Sequence, residues 1–172
     1  DRDGKLQWEK SLGGIEADVA CSVKNTSDGG YIVGGASHSN DGDVQCNVHG
    51  DWDAWVVKLD ALGNIEWPKC YGGSSMDGVN EILQTSDEGF IFVGTTGSND
   101  GDVSGNHGQY DYWVVKIDSI GTLQWQRCYG GSLDDNALFI RQGLNGTFIV
   151  GGLSYSHDKD VTGNHSVPST SD

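Results

Sequence analysis

The sequence predicts an all-β fold, and three observations carry that reading. A unit recurs: Trp55 returns as Trp113 and Trp67 as Trp125, each 58 residues on, while Trp8 precedes Trp67 by 59. Each unit holds four short apolar runs of strand length, parted by clusters of Gly, Asp, Asn and Ser. The run Trp55-Val56-Val57-Lys58-Leu59-Asp60 alternates, with Trp55, Val57 and Leu59 on one face and Val56, Lys58 and Asp60 on the other. Four antiparallel strands per ~58 residues, repeated about three times, form the sequence pattern of β-propeller blades. A closed ring needs about four to eight such blades, so the chain reads as part of a larger ring.

Repeat one covers 1–59, repeat two 60–117, and repeat three 118–172, which stops short of its Trp-Val-Val-Lys strand. Asp1 to Gly4 matches Asp60 to Gly63 and Asp118 to Gly121, an Asp-x-x-Gly turn in which Gly takes positive φ without steric cost. The strand that follows is Leu6 to Lys10, repeated as Ile65 to Lys69 and Leu123 to Arg127. It leads to a double glycine at Gly13-Gly14, Gly72-Gly73 and Gly130-Gly131. Further strands are expected around Val19 to Asn25, Gly78 to Gln84 and Asn136 to Gln142. After a polar turn come the apolar runs Tyr31 to Val33, Phe90 to Val93 and Phe148 to Val150, each ending on Gly. A long polar loop then precedes the Trp-Val-Val-Lys strands. No segment keeps a helical period beyond two turns.

Composition narrows the partners. With 25 acidic and 10 basic residues the formal net charge is -15, which repels nucleic acid and anionic membrane surfaces and suits cations. Gly is 27 of 172 residues, with two Pro and six Trp, as frequent turns and an ordered apolar core require. No apolar run reaches the ~18 to 20 residues that span a bilayer, so membrane insertion is not expected. The first residue is Asp1, consistent with a mature or excised piece of a longer protein. The four cysteines, Cys21, Cys46, Cys70 and Cys128, allow three connectivities, and free thiols are equally compatible. Cys70 and Cys128 hold equivalent repeat positions, too far apart for a bridge between neighbouring units.

The pattern resembles the kelch blade: an apolar strand ending in Gly-Gly, a loop, an aromatic-Val strand ending in Asp, a Gly turn and a Trp. It is more similar still to the secreted bacterial propeller repeats of the Bacteroidota. Those share the phrases Asp-Gly-Gly-Tyr-Ile at 28–32, Asp-Gly-Asp-Val at 41–44 and 100–103, Asn-His-Gly at 106–108, Trp-Val-Val-Lys-Leu-Asp at 55–60 and Tyr-Gly-Gly-Ser at 71–74. The resemblance implies a secreted or cell-surface propeller of the kind exported with a C-terminal sorting domain, which is not within these residues. The longer polar loop and the missing Arg/His signature of the first strand depart from kelch.

One loop carries a chemical reading. Counting Asp100 as the first position, oxygens stand at the first, third and fifth positions (Asp100, Asp102, Ser104), Gly105 at the sixth, Asn106 beside it and Asp111 at the twelfth. That approaches the calcium loop D-x-[DN]-x-[DN]-G-x5-E, because Ca²⁺ takes six to eight hard oxygens and the Gly permits the sharp turn. The other copies are poorer. Asp41 and Asp43 are followed by Cys46 where the Gly belongs, with Asp53 one position late. Asp158, Asp160 and Thr162 keep the first half, but the twelfth residue is Ser169. The bland counterpart is an Asx-stabilised turn without metal. His49, His107 and His165 repeat with these loops and are read as hydrogen-bonding within them. Trp52, whose counterpart in the next loop is Tyr110, is a candidate for surface contact.

No nucleophile elbow, zinc-protease motif or phosphate loop appears. The function expected is a non-catalytic extracellular binding or adhesion module, stiffened by calcium, with a protein or glycan ligand. Its structural partners are the remaining blades of the parent chain or other copies. A second reading makes it the propeller portion of a secreted glycan-acting enzyme with its active site elsewhere, and a third a head-to-tail structural spacer. Asn25, Asn145 and Asn164 head N-glycosylation triplets.

Overall fold

Strand-forming runs parted by Gly-rich turns produce ten strands in the computed structural model of the chain, which describes residues 2–46 and 48–164. The first sheet has the order β1 (Asp18–Asn25), β2 (Tyr31–Ser37), β3 (Asp53–Leu59) and β4 (Ile65–Tyr71). The second repeats it with β5 (Asp77–Gln84), β6 (Phe90–Thr96), β7 (Asp111–Ile117) and β8 (Leu123–Tyr129). A two-stranded sheet pairs β9 (Asp135–Gln142) with β10 (Phe148–Ser154). Every ladder is antiparallel. The fold is all-β and its complete sheets have four strands, as the repeat predicts. A short 3₁₀ turn at Leu144–Gly146, with Asn145 at φ +60°, is the single helical piece among the described residues.

The sheets pack face on face, so the middle strands are apolar on both sides. Phe90 and Phe92 of β6 turn toward the first sheet and join Ile32, Val56, Tyr71 and Trp113, all buried. Ile91 and Val93, one residue out of phase, turn toward the third sheet and pack on Ala137 and Ile140. Phe92 meets Trp113 edge-on with ring centroids 5.6 Å apart, and the Tyr71 ring lies at the same distance from Phe92, tilted by 44°.

Two local expectations change. Leu6 to Lys10 forms no strand, because no described strand precedes it to supply the partner that β3 gives β4. Instead Trp8 sets its edge against Tyr31, centroids 5.6 Å apart, and Lys10 Nζ donates to the Gly63 carbonyl at 2.8 Å. The apolar runs also continue through their glycines, ending at Ser37, Thr96 and Ser154.

The charged end of each Trp-Val-Val-Lys strand is folded inward. Lys58 Nζ reaches Asp28 at 2.8 Å, Glu66 at 2.9 Å and the Leu59 carbonyl at 3.0 Å. Lys116 Nζ repeats this with Asp87 at 3.0 Å and the Ile117 carbonyl at 3.0 Å. Hydrogen bonds from the Thr85 hydroxyl and from Lys116 hold the Asp87 carboxyl down at about 2. A depressed carboxyl stabilises the fold above its unfolded value of 3.8, and that contribution is lost as pH falls through about 2. Lys116→Met is therefore expected to cost up to about 1 kcal/mol at neutral pH, since Asp87 is half exposed and screened. The gap from the unsubstituted chain should close as pH falls from 3.8 to about 2, measured by urea unfolding at each pH.

Cys46, on the long loop, is bridged to Cys70 of β4, with Cα atoms 5.6 Å apart. In the second unit Gly105 stands where Cys46 stands in the first, and Cys128 is a buried thiol pushed up to about 12 by burial. Among the described residues no helix is long and apolar enough to cross a membrane.

Candidate functional site: a groove along the first strands and the turns that clasp it

The first strand of each sheet carries a bulge at the same place. Ala20 and Ser22 oppose Gly35 and Gly34, leaving Cys21 unpaired in the ladder. Val79 and Glu81 leave Asn80 likewise, and Ala137 and Phe139 leave Leu138. A bulge re-aims the extra side chain. Here all three, Cys21, Asn80 and Leu138, are turned into one groove of about 620 Å³. Trp52, Tyr110 and Met76 also line it, with Asn136 and Asp134 on the polar side. The Trp52 ring is supported by His38, centroids 5.8 Å apart. Asn80 Nδ2 donates to the Ala137 carbonyl at 2.7 Å, and Thr95 Oγ1 donates to Asn136 Oδ1 at 2.8 Å, so the amides are held in place by neighbouring strands. Trp52 and its counterpart Tyr110 thus meet in one groove. The bulged residues were not anticipated, although Val-Gly at 33–34, 93–94 and 150–151 marks the opposite strand each time.

The glycine-rich turns beside the groove are gripped by carboxylates. Asp77, fully buried at the start of β5, accepts from Gly73 N at 2.8 Å, Thr96 Oγ1 at 2.5 Å and Ser98 Oγ at 2.7 Å. Asp18 accepts from Gly14 N, Ser37 and Ser39 in the same way, and Asp135 from Gly131 N and Ser156 Oγ. Burial raises the Asp77 carboxyl above its ordinary value despite these donors. The signal for all three was present as Gly-Gly followed, four residues on, by Asp: Gly13-Gly14 and Asp18, Gly72-Gly73 and Asp77, Gly130-Gly131 and Asp135.

The Asp-Gly-Asp-Val loops complete the clasp. Asp100 Oδ1 accepts from Ser74 N at 2.7 Å, as Asp41 does from Ile15 N and Asp158 from Ser132 N. The Ser74 amide holds the Asp100 carboxyl below its ordinary value. Gly101 at φ +62° makes the turn, Asp102 N donates to the Gly72 carbonyl at 2.9 Å, and Val103 is driven into the core. Asp43 N and Asp160 N make the same bond to Gly13 and Gly130.

The other loop oxygens also have protein donors. Ser104 Oγ accepts from Gln126 Nε2 at 2.8 Å, and Asn106 Oδ1 accepts from Gly108 N at 2.9 Å. Asp111 Oδ2 takes His107 N at 2.9 Å and His107 Nδ1 at 2.8 Å, the within-loop bond expected of that histidine. Asp53 Oδ2 takes His49 N at 3.0 Å, with His49 Nδ1 at 3.5 Å. The exposed Asp100 and the fully buried Asp111 turn to different donors, and Thr162 lies exposed on its own loop. Among the described residues no three His, Cys, Asp or Glu side chains gather as a metal group. His165 and Ser169 lie outside the described residues.

No protein-family model matches the chain. Over 163 residues, covering 89% of this chain, it is 26% identical to the regulatory protein FlaEY of Caulobacter vibrioides. The chain spans 17% of that relative's own length.

Proposed function

We propose that the chain is a stretch of β-propeller serving as a non-catalytic extracellular binding or adhesion module, with its ligand in the groove of bulged residues. The observation that carries this is the convergence of Trp52, Tyr110 and three bulged side chains on one concavity. Aromatic faces flanked by fixed amides suit a glycan or an extended polar segment of a protein. Two four-stranded sheets of one design and a two-stranded third, packed face on face, support a propeller. The outer face of the first sheet, with Val19 and Val23, and that of the third, with Ile149 and Leu153, are exposed and apolar. Further blades, of the parent chain or of another copy, would cover them. The Cys46–Cys70 bridge supports an oxidising compartment such as the cell surface.

Glycan and peptide arrays probed with the 172-residue chain test the reading. A hit is expected to weaken at least about tenfold in Trp52→Ala, as central aromatic anchors do. Binding unchanged in both Trp52→Ala and Tyr110→Ala would remove the groove as the site. No ligand on either array, alongside glycan hydrolysis by the longer parent protein, would favour the glycan-acting enzyme. Head-to-tail oligomers in sedimentation would favour the spacer.

A further inference from the structure

We propose that the joint between the second and third sheets binds a small hard divalent cation of the calcium type, held by Asp111 and Asp135. The inference is independent of what the groove binds. It differs from a calcium loop running from Asp100 to Asp111, in which Asp100, Ser104 and Asn106 accept from separate protein donors.

Asp111 begins β7 and Asp135 begins β9, and both side chains are fully buried. Asp135 N donates to the Tyr110 carbonyl at 2.6 Å, which fixes the two strand starts side by side. Gly130 lies between the carboxylates. A Cβ at Gly130 would stand 2.6 Å from Asp111 Oδ1 and 2.6 Å from Asp135 Oδ2, so both carboxylates border the same small space. Each carboxylate has one oxygen engaged and one not. Asp111 Oδ2 is held by His107, and Asp135 Oδ2 by Gly131 N and Ser156 Oγ. Asp111 Oδ1 and Asp135 Oδ1 are buried with no hydrogen-bond partner, and so is the hydroxyl of Ser154. A cavity of about 300 Å³, lined by Gly130, Asp135, Ser154, Asp160 and Thr162, opens beside Asp135 and Ser154.

Asp111 has only the His107 imidazole beside it and Asp135 only neutral donors, so burying both as ions calls for a further positive charge, since each unpaired ion costs several kcal/mol. A divalent cation neutralises both at once. The donors are all oxygen, the choice of a hard ion, with main-chain and water oxygens completing its six to eight ligands.

The corresponding joint between the first and second sheets shows what is special here. There Asp53 and Asp77 flank Gly72 in the same way, and Asp53 Oδ1 is likewise unpartnered. Thr96, however, donates to Asp77 Oδ1, whereas its counterpart Ser154 leaves Asp135 Oδ1 without a donor. The second joint keeps three unpartnered oxygens where the first keeps one.

The test uses the whole 172-residue chain after chelator treatment, with Ca²⁺, Mg²⁺ and Tb³⁺ as probes. Tyr112 and Tyr129 line the cavity, so bound Tb³⁺ is expected to luminesce on tyrosine excitation and to be displaced by Ca²⁺. Removing one charged ligand should weaken the site about tenfold or more in Asp111→Asn and in Asp135→Asn, because affinity follows ligand charge. Ser154→Ala, which leaves both carboxylates and the fold intact, should weaken it by a smaller factor and guards against misfolding of the other two. Asp100→Ala should leave it unchanged. The proposal falls if no probe binds at millimolar concentration. It falls equally if Asp100→Ala abolishes binding while Asp135→Asn and Ser154→Ala do not, which returns the ion to the long loop. A cation-independent melting temperature that rises in Asp111→Asn would also overturn it, because a proton would then be neutralising the pair.

Discussion

Gly94→Ala is expected to destabilise the chain by about 3 to 5 kcal/mol, near the top of the range for single substitutions. Gly94 lies inside β6, opposite the bulge of β5. A Cβ there would land on the Gly78 carbonyl oxygen and crowd the Val79 backbone, neither of which can move without opening the ladder. Gly35 and Gly152 meet Val19 and Asn136 carbonyls in the same way. The control is one strand away: a Cβ on Gly78 would touch only Ala36 Cβ, at 3.5 Å. Gly78→Ala should therefore be neutral or stabilising by up to about 1 kcal/mol, since alanine narrows the unfolded ensemble. Urea denaturation of the two variants decides the matter. Equal stabilities would show that the bulge does not need its glycine. Loss of the bulge should also release Asn80 from the groove, so Gly94→Ala is expected to lose ligand under conditions where it remains folded.

Asp77→Ala is the second large effect, expected at about 4 kcal/mol. The carboxylate serves three donors, Gly73 N, Thr96 Oγ1 and Ser98 Oγ, in a fully buried place. Removing it strands all three, and each buried group left unsatisfied costs about 1 to 3 kcal/mol, less than additively. Asp100→Ala, which frees only the exposed amide of Ser74, should cost far less. Thermal unfolding of the pair tests this ranking. If Asp100→Ala proved the more damaging, the grip on the Gly-Gly turn would lie in the exposed loop rather than in the buried aspartate.

Much of the fold was legible because its signals are local. Trp55 to Asp60 alternates strictly, so its strand and its two packed faces follow from side-chain period alone. The Asp-x-x-Gly turns are equally local: Asp60 Oδ1 accepts from Leu62 N and Asn64 N at 2.8 Å each, and Gly63 sits at φ +80°. Leu6 to Lys10 carries the same local signal as β4 and still forms no strand, because a strand needs a partner as well as a propensity. The glycines at 34–35 and 94 could be read as strand ends. The actual reason, the approach of a carbonyl on the next strand to Gly35 and Gly94 and of the Val79 side chain to Gly34, belongs to contacts between residues far apart in sequence.

The candidate site divides along the same line. Trp52 and Tyr110 could be noticed for their exposure to choice, one aromatic in each long polar loop. Cys21, Asn80 and Leu138 could not, since a bulge turns a side chain that period-two counting would place on the opposite face. The Asp-Gly-Asp loops announced clustered oxygens. Whether those oxygens face one another or face backbone amides depends on where the neighbouring Gly-Gly turn lies, and Asp100 bonds Ser74 across 26 residues. The sequence by itself determined the repeat, the strands and the turn chemistry, because those follow from residues a few positions apart. Tertiary structure alone decided the bulges, the clasp of Asp77 on its turn, and the meeting of Asp111 with Asp135 around Gly130. Each of these rests on atoms that only the packing of one sheet against the next brings within a few ångströms.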